Sequence, residues 1–200
     1  MPRPDVREER RPQIIAAAVK VFQRKGYRKA TMPEIAREAG LSIGGVYWYF
    51  KGKDDVVLAI LEDVFKSDLD DLNLLVNTQT NAGERLKSFI SAYVENYNEM
   101  AWLNTIGIEF YGEAAHDPVV RGFVQQYLAH YRQALLQLIE QGVTRGEFRA
   151  VDPVAVANAL IGLEEGLSLI KTADPQGVDW KRSFQSAAEL ILLGLTTKEN

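Results

Sequence analysis

TMPEIAREAGLSIGGVYWYFKGK, Thr31 to Lys53, reads as two short helices joined by a tight turn. Thr31 is a favoured N-cap residue. Glu34, three positions on, completes the pattern in which cap and glutamate satisfy each other's orphan amides. Pro33 stands in the first turn, where its missing N–H is not needed. Ile35, Ala36 and Ala39 fall on one apolar face. Gly40 can take the left-handed conformation that ends a helix, and Leu41 then turns inward. Ser42 is placed to cap a second helix, roughly Ile43 to Tyr49, with Val46 and Phe50 on its inner side. Two short helices across such a turn make a helix-turn-helix, whose second helix enters a major groove.

The residues left outside point the same way. Gly44 and Gly45 are adjacent in a very short helix, and each costs about 1 kcal/mol relative to alanine. That cost fits a backbone that must approach another surface closely. At most two of Tyr47, Trp48 and Tyr49 can face the core, and an exposed ring offers an O–H or N–H to phosphate oxygens. Lys51 and Lys53 flank Gly52. The expected DNA-facing set is Thr31, Arg37, Ser42, Ile43, Gly44, Gly45, Tyr47, Trp48, Tyr49 and Lys53.

Thr31 followed by Ile35, Ala36, Ala39, Gly40, Ser42, Gly44, Tyr47, Tyr49, Phe50 and Lys53 resembles the DNA-binding segment of the TetR family of bacterial transcriptional regulators. The resemblance extends upstream to IIAAAVKVFQRKGY, Ile14 to Tyr27, which is similar to the first helix of that family. It covers about the first quarter of the chain and implies phosphate contacts from Thr31, Tyr47 and Lys53. The chain departs at two positions. Many relatives carry a basic residue where Ile43 stands and a hydroxyl residue where Gly45 stands. Few polar base readers therefore remain on the second helix of the motif.

The 200-residue chain is long enough for one or two domains with a real core. Without cysteine it has no disulfide, thiolate metal site or cysteine nucleophile, and two histidines, His116 and His130, argue against a multi-histidine metal site. No metal or other cofactor is expected. No run of about 18 apolar residues is visible and the charged N-terminus lacks a signal core, so no membrane span and a cytoplasmic protein are expected. Charge is split. Residues 1–53 hold 12 Lys/Arg against 5 Asp/Glu, and residues 54–200 hold 11 against 22. A basic head on an acidic body is the footprint of a nucleic-acid-binding domain joined to one that does not bind it.

Met1 to Arg11 is a polar arm whose Arg3, Arg7, Arg10 and Arg11 could follow DNA phosphates or simply fray. A helix to Lys25 follows, with Ile14, Ile15, Ala18, Val19 and Phe22 at helical spacing. Another, from about Lys53 to Val76, joins head to body and is the natural lever between them. Glu84 to Met100 and the apolar stretch 101–115 read as separate segments. The Asp-Pro pairs at 117–118 and 152–153 start two further helices, and a last one spans about Trp180 to Leu195. The expected fold is all-α, with about nine helices. A three-helix helix-turn-helix domain takes residues 1–53, and a helical ligand-binding and dimerisation domain takes 54–200.

Two features of the body carry functional expectations. Ala155, Ala159, Gly162 and Gly166 form a ridge of small residues, and Phe184, Ala187, Ala188, Ile191 and Gly194 lie on a similar face of the last helix. These either pack within one subunit or form a two-fold interface, which a helix-turn-helix protein needs to reach two half-sites. The second feature is an aromatic excess. The expected pocket is lined by Tyr93, Tyr97, Trp102, Ile106, Phe110, Phe123 and Tyr127, with Glu109, Gln126 and His130 as polar anchors. Core packing is the competing reading of those rings. Glu164-Glu165 and Asp70-Asp71 read as solvated surface, since neighbours on a helix diverge. No phosphate loop, nucleophile elbow or HExxH motif is present, so no enzyme is expected. The functional expectation is a homodimeric repressor released from double-stranded operator DNA by a small, largely apolar effector. A DNA-binding protein controlled by a protein partner, or acting architecturally, is the alternative.

Overall fold

The computed structural model describes residues 6–196, and among these no strand forms beyond a single bridge between Phe148 and Thr196. The fold is all-α. Met1 to Asp5 of the expected arm lie outside the described residues. The chain packs into two compact units, the first ending at Ser67 and the second beginning at Asp68.

In the first unit, α1 (Val6–Lys25) packs against α2 (Met32–Glu38), and α2 against α3 (Ile43–Tyr47). Ile14, Ala18, Val21, Phe22, Ile35, Val46 and Phe50 are buried together with Val56, Val57 and Ile60 from the start of α4 (Lys53–Asn77). Two five- to seven-residue helices cannot hold their shape alone, so α1 and α4 supply the apolar surface that fixes them. Glu34 accepts from both the amide (3.1 Å) and the hydroxyl (3.0 Å) of Thr31. Lys25 also binds that carboxylate, and the two partners hold Glu34 below the usual carboxylate range. Gly40 has φ +65°, the left-handed turn between the helices that a side chain would strain. Arg11 pairs with Glu62 at 3.4 Å and lies over the Phe50 ring.

The second unit is built from α5 (Ala82–Glu113), α6 (Pro118–Thr144), α7 (Pro153–Ala173) and α8 (Trp180–Leu195), with Leu72 and Val76 from the end of α4. The segments read as separate, residues 84–100 and 101–115, are one helix of 32 residues, since neither proline nor a cap interrupts them. Both Asp-Pro starts form as expected. Asp117 accepts from the amide of Val119 at 2.7 Å and Asp152 from that of Val154 at 2.9 Å. The last carbonyls of α4, Leu75 and Val76, accept from buried Arg85, which also donates to Gln141 on α6. Gly142 is required by contact: a Cβ there would stand 2.3 Å from the Phe148 ring. By length and composition α7 is apolar enough to cross a membrane, contrary to the sequence expectation that no segment is, yet little of it is buried within the chain.

Candidate functional site

The outer face of α3 is built by its register. Val46 is fully buried, so residues on the opposite side of this short helix face outward. Ile43, Tyr47 and Trp48 are 46%, 48% and 63% exposed. Gly44 lies on the same face with open space around it. Tyr49 is half-buried, with its ring edge-on to Trp48 at 4.7 Å. Ser42 spends its hydroxyl oxygen on the helix cap, accepting from the Gly45 amide at 3.1 Å. Thr31 and Arg37 are exposed. Lys53 is held inward. Its ammonium donates to the carbonyls of Tyr27 (2.8 Å) and Arg28 (3.3 Å) and sits 4.3 Å from the Tyr27 ring centroid. Two of its three donors are thus taken by the turn that follows α1.

In the second unit the aromatic residues of α5 meet those of α8. Tyr97 stacks on Trp180 with centroids 3.8 Å apart, and Trp180 stacks in turn on Phe184 at 4.8 Å. Tyr93 contacts both Trp180 and Phe184. Of the expected pocket residues, Tyr97, Ile106 and Phe110 are buried, while Tyr93, Trp102, Glu109, Phe123 and Tyr127 are half-buried. Gln126 and His130 are exposed, because α6 turns Val120, Ala134, Leu135 and Leu138 inward and carries 126 and 130 round to the surface.

The polar partners of the α5 tyrosines come from a place the sequence reading assigned to solvent. Glu164 and Glu165 are not surface residues. They are half-buried, and each finds a tyrosine hydroxyl from α5. Tyr93 donates to Glu164 at 2.8 Å, and Tyr111 donates to Glu165. Ser168, one turn on, donates to Glu164 at 2.9 Å and accepts from the Trp180 indole at 3.1 Å. An unbroken donor chain therefore runs from Trp180 through Ser168 to Glu164. Burial pushes the Glu164 carboxyl above its ordinary range, against the bonds from Tyr93 and Ser168. Burial, with the neighbouring Glu164 charge, raises Glu165 to about 7, against the bond from Tyr111. Burial and the glutamates raise the hydroxyl pKa values of Tyr93 and Tyr111 as well. Among the described residues no lysine, arginine or histidine forms an ion pair with either glutamate. Two adjacent half-buried carboxylates thus accept from tyrosine hydroxyls and have no cationic partner among the described residues.

The face of α7 and α8 divides in a way periodicity did not resolve. Phe184 and Ala188, expected at an intersubunit face, are in the core, because α8 uses the stripe Trp180, Phe184, Ala188 and Leu195 to cover α5. Ala187 and Ile191 are half-buried and Gly194 is exposed. The outward stripe instead carries Leu190 and Leu193. On α7, Ala155, Ala159 and Gly162 are exposed and Gly166 half-buried, next to exposed Leu169 and Ile170.

Comparison with known proteins agrees with both units. Residues 14–60 match the tetR family of bacterial regulatory proteins, and residues 82–192 match the C-terminal region of BetI-type transcriptional repressors. The helix-turn-helix transcriptional regulator YfiR of Bacillus subtilis is 26% identical over 163 residues, 80% of this chain and 79% of that one. A transcriptional regulator from Saccharomonospora viridis, solved in complex with choline, shares the fold with a TM-score of 0.83 at 22% identity, covering 96% of this chain and all of the other. FadR from Bacillus subtilis, solved in complex with stearoyl-CoA, shares it with a TM-score of 0.74 at 22% identity, covering 92% and 98%. The chain belongs to the TetR family of bacterial transcriptional regulators, with a body of the BetI type.

Proposed function

We propose that the protein is a homodimeric repressor, released from its operator when a small organic cation binds among α5, α7 and α8. The apolar part of the effector lies against the rings of Tyr93, Tyr97 and Tyr111, and its charge faces Glu164 and Glu165. One observation carries this reading: two neighbouring half-buried carboxylates accept from tyrosine hydroxyls, with no basic side chain paired to them among the described residues. An uncompensated buried charge is costly, and such groups concentrate at functional sites. The largely apolar effector read from the aromatic residues thereby gains a positive end. The choline complex of the Saccharomonospora viridis regulator supports this, since choline is such a cation. The stearoyl-CoA complex of FadR shows that the same fold also takes long acyl groups.

Release requires that the effector bind the DNA-free state better than the DNA-bound state, and it can shift the equilibrium only by that difference. α4 is the element through which we expect the shift to pass. It contributes Val56, Val57 and Ile60 to the core of the first unit and Leu72 and Val76 to that of the second.

Titrating alkyl-trimethylammonium ions, choline among them, against their uncharged tert-butyl isosteres tests the charge. The cations are expected to bind at least about tenfold more tightly, or roughly 1.4 kcal/mol, and to release DNA in the same order. Equal affinity for charged and neutral isosteres would refute the cationic reading. DNA release by acyl thioesters alone would assign the site to acyl chains.

On the DNA side we place the outer face of α3 in the major groove, with Thr31 and Tyr47 on phosphates. Gly44 then separates groove contact from folding. A methyl at Gly44 meets nothing within 4 Å, whereas one at Gly45 would press on the Ser42 hydroxyl at 3.2 Å and disturb the cap. Gly44→Ala is expected to preserve or raise Tm, since helix propensity improves by up to about 1 kcal/mol. It should also weaken DNA binding severalfold, as measured by titration of labelled operator. Unchanged affinity would show that the backbone at Gly44 does not approach DNA.

A further inference from the structure

We infer that α3 reads its operator through methyl groups, with Ile43 packing on the 5-methyl group of a thymine in the major groove. The inference rests on the DNA-binding reading above and names what that surface recognises.

The outer face of α3 holds no acidic or basic residue. Its exposed side chains are Ile43, Tyr47 and Trp48. Ile43 and Tyr47 are one helical turn apart, as are Gly44 and Trp48, so the four positions form one continuous patch. Gly44 contributes no side chain to it and has open space above it. A groove edge can therefore come down beside Ile43 without meeting another side chain first.

Each base edge asks for a different partner. Guanine is read by the donors of arginine or lysine, and adenine by the donor–acceptor pair of asparagine or glutamine. Neither kind of residue occurs between Ser42 and Phe50. The Ser42 hydroxyl oxygen already accepts from the Gly45 amide. Tyr47 and Trp48 carry one polar hydrogen each, at the far edge of a large ring, which suits a phosphate oxygen better than the two-point pattern of a base. What the patch offers a base is aliphatic and aromatic carbon. In the major groove the group that matches carbon is the thymine methyl.

The test begins with sites selected by the intact protein from random duplex DNA. Each thymine is then replaced by deoxyuridine, which removes the methyl and leaves base pairing and polar edges unchanged. Wild-type and Ile43→Ala proteins are titrated against the set at one salt concentration. Ile43 is exposed in the first turn of α3, so the variant is expected to keep its fold, which its Tm will check. Burying one methyl is worth about fourfold in affinity. A symmetric replacement in both half-sites should therefore cost the wild type a factor on the order of 15. The Ile43→Ala protein should start weaker and lose nothing further at that position. Sequence-selective binding with no uracil-sensitive thymine would overturn the inference while leaving the DNA-binding reading standing. Uracil sensitivity that persists in Ile43→Ala would overturn the assignment to Ile43. A failure to select any sequence would remove the DNA-binding reading, and the inference with it.

Discussion

Exchanging Leu190 and Leu193 for glutamate is expected to leave a folded monomer with no more than about a hundredth of the operator affinity of the dimer. Both leucines point away from their own subunit, at 69% and 73% exposure, so the exchange removes little from its core. On α7, Leu169 and Ile170 are exposed too, as are the open positions Ala155, Ala159 and Gly162. We place the two-fold axis on this patch. Burying an exposed leucine is worth about 1.5–3 kcal/mol, and a two-fold interface counts each position twice. Glutamate would reverse the gain and bring unpaired charges of like sign together. Gly162→Leu approaches the same point from the other side. Its new side chain would start in open space within its own subunit, so a loss of dimer would reflect overpacking against the partner, at about 1–3 kcal/mol per copy. Separated heads lose the effective concentration that joining them supplies, a factor of about 10²–10⁴. Sedimentation reads the assembly state, and titration of full-site against half-site DNA reads the affinity. A stable dimer of the Leu190→Glu, Leu193→Glu protein with full operator affinity would move the interface elsewhere.

That patch also marks where sequence reading reached its limit. The helix-turn-helix was legible because its signals are local. Ser42 caps the helix that begins at Ile43, Gly40 takes the positive φ of the turn, and Val46 and Phe50 fall inward within a few residues of one another. In α8 the same logic fails, since Leu190 and Leu193 are as apolar as Ile191 and Leu195. Residues 190–195 at the end of α8 are aliphatic at every position but Gly194, and a segment apolar on every side has no preferred inner stripe until its partner is known. The partner here is α5, whose Tyr93 and Tyr97 select Trp180 and Phe184. The glutamates were hidden for a related reason. Adjacent carboxylates on a helix are ordinarily solvated, and nothing near Glu164 in sequence announces a tyrosine. The hydroxyls that draw this pair inward belong to Tyr93 and Tyr111, 71 and 54 positions away. Ser168 was the one local hint, a small hydroxyl residue one turn beyond Glu164 on an otherwise apolar helix.

Affinity for a quaternary ammonium effector is expected to rise with pH up to about 7 and then level off. Such a ligand carries a fixed charge, so any pH dependence belongs to the protein. Glu165 has its pKa raised to about 7, first by burial and then by the Glu164 charge beside it. Below that pH the folded protein holds a proton which the cation must displace, and apparent affinity falls by up to about tenfold per pH unit. Stability of the free protein should move the opposite way. Between the ordinary carboxylate pKa of 4.5 and about 7, the folded state keeps a proton that the unfolded chain has released. Folding stability therefore declines as pH rises through that window, by about 1.4 kcal/mol per unit and about 3 kcal/mol in all, and is level above it. Glu165→Gln keeps the shape and removes the titration. The variant should lose the Glu165 part of the pH slope in Tm and keep only what Glu164 contributes, be more stable than wild type at pH 8, and bind the cation weakly with a smaller dependence on pH. Calorimetric titration and thermal scans from pH 5.5 to 8 measure both trends. A wild-type affinity that stays flat across this range would show that the Glu165 carboxylate does not face the bound cation.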